Sequence, residues 1–455
     1  MSALRDADRS VNKTAEKVAD KGVDKGVDKG VQPLSIRRNM LWNSAGSLVN
    51  LGCQWVITVL IVRLSDGYDA AGVYSLAMSV YGIFSQLAQY RTYTYQVSDV
   101  RGENSAGEYL VFRAVTCLAA LVCTMGYAAV TCRPGALLAI LLYSLYKMAS
   151  LVVDVLHASD QQAHRMDYIG KSLAMQGVSS VVLFTAIFWI THSLELALLA
   201  MTAGVVIIGV LYDLPRTLRL TPIVPKISLE KARHLLVYCA PVVLAGIACS
   251  AAPSVPRQYL SHVMGDSALG IYASVAAPVA IIQMGASYIY NPLIGYFSES
   301  YARRDAREFR RLLVLTFCGI AAVGVACSVG LALLGGPLLA LVYGEGIVEH
   351  LYLLQPLVLC AVVTGVMWFA NDLLISLRGF RATFVGSVVA LVTSLAVMVP
   401  AVGAFGMNGV TVANVASCVT SAAFMLWSLR ALTRLRFGGA GRAAADGNGG
   451  AGDAC

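Results

Sequence analysis

The chain has 455 residues, of which 57% are hydrophobic and only 13% charged, and its mean hydropathy is +0.68. Because a soluble domain carries about 25% charged residues, this composition excludes a soluble protein and indicates a membrane protein with many spans. The formal net charge of +8 does not indicate a nucleic-acid partner, because the basic residues are concentrated in a subset of the predicted loops.

The two ends of the chain differ from the rest. Residues 1–38 are polar and basic, with the repeat KGVDKGVDKGV, and we expect a disordered cytoplasmic arm. Residues 433–455 are rich in glycine, and we expect a disordered cytoplasmic tail.

Twelve apolar runs lie between these ends, each near the 20 or so residues that a helix needs to cross a membrane. The predicted spans are 41–62, 70–90, 110–131, 136–157, 169–190, 194–214, 236–256, 270–295, 312–334, 351–376, 382–402 and 409–430. The basic stretch in 215–235 separates them into two six-helix bundles, 39–214 and 236–432.

The basic residues predict the orientation of these spans. With the N-terminus inside, the inward tails and loops hold 30 of the 34 Lys and Arg, and the outward side holds Arg63, Arg133 and Arg257. Since cytoplasmic loops carry the excess of Lys and Arg, we expect both termini in the cytoplasm.

Three short segments recur in the second half in the same order. SDVRGENSAGEY (98–109) is echoed by SESYARRDAREF (298–309), DAAGVYSLA (69–77) by DSALGIYAS (266–274), and RMDYIG (165–170) by RATFVG (381–386). The matches predict a duplication, and six spans per half give both halves the same orientation in the membrane, as in one of the transporter plans.

Polar residues on one face of several spans predict a water-filled cavity between the halves. The alternative is that these side chains only hydrogen-bond to neighbouring helices. The cavity candidates outside the charged groups are Asn43, Asn50, Gln54, Gln86, Gln89, Ser254, Gln283, Tyr290 and Asn291.

Four charged residues in or beside the spans are further candidates. Lys147 is the one Lys or Arg placed near the middle of a span, where an ammonium needs a carboxylate, a cavity or an anionic ligand. Arg257 is placed near the outer mouth of the cavity or serves as an interface anchor. Asp154 and Asp372 are candidate coupling carboxylates, or else residues that pair with loop arginines.

The segments NMLWNSAGSLVNLGCQWVITVLIVRLS (39–65), AAGVYSLAMSVYGIF (70–84), DVLHASDQQAHRMDYIGKS (154–172) and GMNGVTVANV (406–415) resemble the polysaccharide and O-antigen flippases (Wzx-type). These belong to the multidrug/oligosaccharidyl-lipid/polysaccharide (MOP) exporter superfamily. The resemblance covers residues 37–432 and rests on diffuse apolar patterns.

The resemblance implies two six-helix bundles of the MATE-like kind that work by alternating access in the bacterial cytoplasmic membrane. It implies an undecaprenyl-pyrophosphate-linked glycan as cargo, surface polysaccharide biosynthesis as the process, and polymerase or glycosyltransferase machinery as partners. Lys147 and Arg257 are the residues that fit a cationic cavity for the pyrophosphate. We expect no cofactor, with H⁺ or Na⁺ as the coupling ion.

Two other functions remain open. A cation-coupled exporter of drugs or small molecules in the same superfamily would need a carboxylate near mid-membrane. An integral-membrane glycosyltransferase or polymerase would need an acidic site on a large outer loop, and Asp66 and Asp69 lie on a short one. The eleven scattered cysteines show no C-x-x-C spacing, so we expect no metal site. We expect no catalytic residue, because the short outer loops leave little room for an active site.

Overall fold

The structure is a computed structural model that describes residues 34–65, 67–99 and 102–446. Regular secondary structure across these residues is entirely helical, which confirms the predicted all-α membrane fold. The chain divides into two compact units, Met1–Ile247 and Ala248–Cys455.

The N-terminal unit holds eight helices and the start of a ninth. They are α1 (Ile36–Leu64), α2 (Asp69–Gln89), α3 (Thr92–Ser98), α4 (Ala106–Thr131), α5 (Leu137–Gln162), α6 (Met166–Thr191), α7 (Leu194–Ile208), α8 (Leu214–Leu220) and α9 (Leu229–Met264). A 3₁₀ turn, Pro134–Ala136, precedes α5, and a π-helical turn, Gly209–Asp213, joins α7 to α8.

The C-terminal unit holds the end of α9 and seven further helices. They are α10 (Asp266–Ala276), α11 (Ala280–Tyr290), α12 (Ile294–Ala302), α13 (Ala306–Tyr343), α14 (Leu354–Ser376), α15 (Phe380–Phe405) and α16 (Met407–Asp446). Two 3₁₀ segments, Asn291–Leu293 and Glu345–Leu353, lie between them.

Ten helices of the described residues are long and apolar enough to cross a membrane, so the predicted count of twelve is not confirmed. The other two predicted spans, 70–90 and 270–295, are helical, but neither forms a helix that is both long enough and apolar enough to be among the ten. The first is α2, which carries Ser75, Ser79 and Gln86 along its length. The second is broken into short helices, because Pro278 and Pro292 interrupt the helical hydrogen bonds.

The echoed segments begin helices at matched positions in the two units. Ser105 caps α4, with its Oγ accepting the Glu108 N–H at 3.2 Å. Asp305 caps α13 in the same way, accepting the Glu308 N–H at 3.0 Å. A short polar side chain at this position satisfies N–H groups that the first helical turn leaves free.

The expected boundaries of the units differ from those in the structure. The two units divide inside α9, at Ile247, rather than within 215–235, and only 221–228 of that stretch is non-helical. The reason is packing, since Leu235 and Cys239 of α9 lie in one buried cluster with Tyr90 and Phe112.

The expected disorder at both ends is only partly within the described residues. Helix α16 continues to Asp446, well past residue 433, and α1 already begins at Ile36. The remainder of the predicted arm (1–33) and of the predicted tail (447–455) lies outside the described residues.

Helices α1 and α6 approach each other closely enough for backbone contact. A Cβ atom on Gly46 would lie 2.1 Å from the carbonyl oxygen of Gly170, and one on Gly170 would lie 2.1 Å from that of Trp42. Further along, Gly177 lies against Asn50. Small residues at such crossings let helices approach in a bilayer, and this contact fixes the position of α1 beside α6.

In the described part of the loop between α3 and α4, several donors converge on Asp99. Its carboxylate accepts the N–H groups of Glu103 and Asn104, both at 3.0 Å, and the Tyr109 hydroxyl at 2.9 Å. Partial burial acts to raise the pKa of Asp99, but these donors outweigh it and hold the pKa below its ordinary value.

We expect Gly46→Ala to destabilise the protein by about 2 kcal/mol or more, because the added methyl would overlap the backbone of α6. Gly52→Ala is the matched control on α1, since a Cβ at Gly52 meets nothing within 4 Å. Thermal unfolding midpoints in detergent should fall for the first variant only. Equal midpoints for the two variants would contradict the close crossing.

We expect the contribution of Asp99 to stability to depend on pH. A carboxyl whose pKa is lowered in the folded state stabilises the fold above its unfolded pKa of about 3.9, and this stabilisation is lost as the pH falls through the lower folded value. Wild type should therefore be more stable than Asp99→Asn at pH 7, with the difference shrinking below about pH 4. A difference that stays constant between pH 7 and pH 3 would contradict the assignment.

Candidate functional site

Lys147 lies near the middle of α5, and its surroundings are now defined. Its ammonium donates a hydrogen bond to Gln54 Oε1 of α1 at 2.8 Å. It also lies 5.1 Å from the ring centre of Tyr146 and 5.6 Å from that of Tyr143. Among the described residues no carboxylate forms an ion pair with it. We call Lys147, Gln54, Tyr143 and Tyr146 the lysine site.

The positions of the lysine site follow from the helix contacts beneath it. Gln54 lies one helical turn beyond Asn50, on the part of α1 that the glycines hold against α6. The Tyr146 hydroxyl lies 3.4 Å from Ser180 Oγ of α6, which fixes that ring. Tyr143 is buried against Tyr74 of α2, with ring centres 5.3 Å apart. The lysine therefore sits where α1, α2, α5 and α6 meet.

The lysine site is suited to binding an anion. An ammonium carries three N–H donors, and the amide of Gln54 is the one hydrogen-bond acceptor that the described residues provide. An amide oxygen and two ring faces orient the charge without neutralising it. The positive charge and its remaining donors are therefore left for a ligand such as a phosphate.

A second polar cluster lies in the same unit and was not predicted as a group. His157 of α5 is buried, with Nε2 3.3 Å from Asp213 Oδ1 and Nδ1 3.8 Å from Asp154 Oδ1. The other oxygen of Asp213 accepts the Ser172 hydroxyl of α6 at 2.8 Å. We call His157, Asp154, Asp213 and Asp160 the histidine cluster.

The fourth member, Asp160, is fully buried one turn after His157. Its Oδ1 accepts the Thr217 hydroxyl of α8 at 3.0 Å, and its Oδ2 has no hydrogen-bond partner among the described residues. A buried carboxylate oxygen without a donor is costly unless the group is protonated. The cluster therefore contains a group that can hold a proton as well as groups that can carry charge.

The groups that face the histidine cluster come from five helices. On α6 these are Ser172, Gln176 behind it at 3.0 Å, and Asp167, which pairs with Arg165 at 2.9 Å. On α8 it is Thr217. From α2 and α4, Tyr81 and Arg113 interact electrostatically with Asp154, as does Tyr93 of α3.

The sequence offered one signal for this cluster. His157 and Asp213 both lie at the ends of predicted spans, but the sequence alone marks only Asp154 as a candidate coupling carboxylate in this unit. The π-helical turn that ends at Asp213 is what turns its side chain toward α5. Such turns occur often at functional sites, and no local pattern predicts them.

In the C-terminal unit the structure brings together two of the predicted residues. The Tyr290 hydroxyl donates to Asp372 Oδ2 at 3.0 Å, and Asn371 donates to the other oxygen at 3.3 Å. Arg257 is close enough to Tyr272 to interact electrostatically, and its buried Nε has no hydrogen-bond partner among the described residues.

The remaining predicted residues are placed apart from these contacts. Gln86 packs against Gly246 of α9, and Ser254 is buried and donates to the Ser250 carbonyl at 2.8 Å. Asn43 and Gln283 are half-buried, while Gln89 and Asn291 are exposed. Whether these residues line one cavity stays a prediction. Within the described range, no group of three or more His, Cys, Asp and Glu is placed to hold a metal ion.

The chain is similar to known proteins both in sequence and in fold. No family model matches the chain. It is 23% identical over 315 residues to the capsular polysaccharide biosynthesis protein CapF of Staphylococcus aureus, covering 68% of this chain and 77% of CapF.

Two solved structures are similar over most of their length. The lipid II flippase MurJ in an inward closed conformation gives a TM-score of 0.68 at 10% identity, covering 86% of this chain and 87% of MurJ. A MATE multidrug resistance transporter of the MOP superfamily, in an inward-facing conformation, gives 0.64 at 14% identity, covering 88% and 98%.

These identities are too low to carry function, but the fold is shared along nearly the whole chain. The resemblance to the MOP superfamily that the sequence predicted is confirmed at the level of the fold. The chain is a multi-pass membrane protein with the fold of the MurJ and MATE transporters of the MOP superfamily.

Proposed function

We propose that the chain is a flippase that moves a polyprenyl-pyrophosphate-linked oligosaccharide across the bacterial cytoplasmic membrane by alternating access. A sugar-phosphate head group cannot cross hydrocarbon unaided, because each polar group would lose its hydrogen bonds to water. Protein contacts must replace that water while the prenyl chain stays in lipid.

The observation that carries the proposal is the lysine site. A mid-helix ammonium that has no carboxylate partner among the described residues and is held by the Gln54 amide and two tyrosines suits an anionic cargo rather than a cationic one. Two comparisons support the same cargo class, since one relative takes part in capsular polysaccharide biosynthesis and one structure is a lipid II flippase. We also propose that both termini lie in the cytoplasm and that the protein works alongside the enzymes that build the glycan.

The histidine cluster supplies the coupling in this proposal. A histidine between two carboxylates, next to a carboxylate with one oxygen that has no donor among the described residues, can take up or release a proton without exposing a bare charge to the bundle. We therefore propose H⁺ as the coupling ion, with Asp154 as one member of the cluster. Asp372, held by Tyr290 and Asn371, is a second candidate carboxylate in the other unit.

One other function has a specific observation in its favour. The chain shares its fold with a MATE multidrug resistance transporter, and acidic groups are present in both units. A drug exporter of that kind should raise resistance to cationic compounds when expressed in a sensitive host. The flippase proposal expects unchanged resistance, together with lipid-linked glycan trapped on the cytoplasmic leaflet when the gene is deleted.

We expect Lys147→Ala to reduce export of surface glycan about tenfold or more, because a charge-assisted hydrogen bond to the pyrophosphate contributes about 1.5–3 kcal/mol. Lys147→Arg should keep part of the activity, since it retains the charge. Export is measured by complementing a deletion strain at equal protein level in the membrane.

Lys171→Ala is the matched control for Lys147. Lys171 lies in the same unit but is exposed, 3.9 Å from Asp167 and over the ring of Trp42. Its loss should leave export near the wild-type rate. Wild-type export by Lys147→Ala would remove the lysine site from the mechanism.

We expect His157→Asn to uncouple proton movement from transport. In vesicles that contain the purified protein and a pH-sensitive dye, adding lipid-linked glycan should change the inner pH for wild type but not for this variant. His164→Asn is the control, because His164 is an exposed histidine in the turn between α5 and α6. Asp213→Asn should behave like His157→Asn. Proton movement that persists in both variants would exclude the histidine cluster as the coupling site.

A further inference from the structure

The start of α13 carries a basic, exposed surface that belongs to neither the lysine site nor the histidine cluster. An open groove of about 790 Å³ lies along this helix. Arg307, Arg310 and Arg311 line its first turns, and Val314, Leu315 and Cys318 line the next ones. We call these six residues the arginine groove.

All six residues of the arginine groove are exposed. They recur at intervals of three and four residues, which places them on one face of α13. The guanidinium groups therefore lie at one end of the helix, and the apolar side chains continue from there toward its middle. This is the order of polar and apolar parts in a membrane lipid.

The groove keeps an excess of positive charge. Arg311 lies 3.6 Å from Glu308, but that carboxylate is the one acidic partner for three guanidinium groups. The side chains of Arg307 and Arg310 form no ion pair with any described residue. An anion brought to this face meets donors that the protein itself does not use.

The other half of the chain shows that the start of such a helix does not require this charge. In the echoed segment, the positions of Arg307, Arg310 and Arg311 are held by Gly107, Leu110 and Val111. Glu108 matches Glu308, so the acidic residue is kept while the three arginines are not. The arginines are therefore a property of the second half alone.

The start of the matching face of α4, at Gly107 and Glu108, is covered by protein. The carbonyl oxygen of Val224 would lie 1.9 Å from a Cβ on Gly107, so the 221–228 segment crosses directly over that helix. Lys231 then donates to both oxygens of Glu108, at 2.9 and 3.0 Å. On α13 the face is open, and Arg311 takes the position of a cation beside the glutamate. The start of this helix is covered by protein in the N-terminal unit but is exposed in the C-terminal unit, where another molecule can bind.

We propose that the arginine groove binds an anionic phospholipid. Its phosphate would be held by Arg307 and Arg310, because guanidinium groups donate paired N–H bonds that match phosphate oxygens. Its acyl chain would lie along Val314, Leu315 and Cys318. Basic residues that border apolar surface on a membrane helix are a recurring way of recognising such lipids. This site is separate from the cargo and does not depend on which cargo is carried.

The test is lipid binding to the purified full-length protein, measured by native mass spectrometry after removal of bound lipid. Phosphatidylglycerol should bind, and phosphatidylcholine should bind far more weakly. The triple variant Arg307→Gln/Arg310→Gln/Arg311→Gln should lose phosphatidylglycerol binding by roughly tenfold or more.

A second triple variant keeps the experiment specific. Arg381→Gln/Arg430→Gln/Arg434→Gln removes three other exposed arginines of the same unit and should bind phosphatidylglycerol like wild type. Equal losses in the two variants would mean general attraction of charge and would overturn the site. Tighter, arginine-dependent binding of undecaprenyl phosphate than of phosphatidylglycerol would overturn the assignment to phospholipid. Both variants should keep the wild-type unfolding midpoint, because the side chains are exposed.

Discussion

An ion among apolar helices is costly unless other groups compensate its charge, and this constraint shapes the N-terminal unit. Lys147 is held by an amide and two aromatic rings, whereas His157 is held by carboxylates. The two arrangements lie on the same helix, ten residues apart, and they solve the constraint in opposite ways. The first leaves a positive charge without an ion-pair partner among the described residues, and the second compensates charge internally. In the proposed mechanism the unit therefore separates binding of an anion from handling of a proton.

The lysine site depends on the close crossing of α1 and α6, and the histidine cluster contacts the same α6. The glycines of that crossing bring Gln54 to the lysine, while Ser172 on the same α6 donates to Asp213. A wider separation of the helices would lengthen the hydrogen bond to Lys147, and an ammonium left without its acceptor would be costly in an apolar interior. The backbone contact thus holds the chemistry in place without taking part in it.

Much of the fold was predictable, because hydropathy and the positions of Lys and Arg depend on sequence alone. The exceptions have local causes. Pro278 and Pro292 divide one long apolar run into short helices, and packing of Leu235 on Phe112 moves the division between units into α9. Of the site, Lys147 was predictable as a charge in a span. Its partner Gln54 appeared only as one polar residue among many, since the crossing of two helices cannot be read from either one. The histidine cluster was missed as a group because its members lie on α5 and in a π-helical turn that follows α7.

That π-helical turn has a consequence for how this region tolerates change in length. A π turn holds one residue more than an α turn, and each residue of an α-helix rotates the chain by about 100°. The direction in which Asp213 and Thr217 point is therefore set by a single surplus residue within Gly209–Asp213. Deleting one residue there would mainly rotate the side chains that follow about the helix axis. It would carry the carboxylate around the helix axis, away from the imidazole, while α8 continued unbroken.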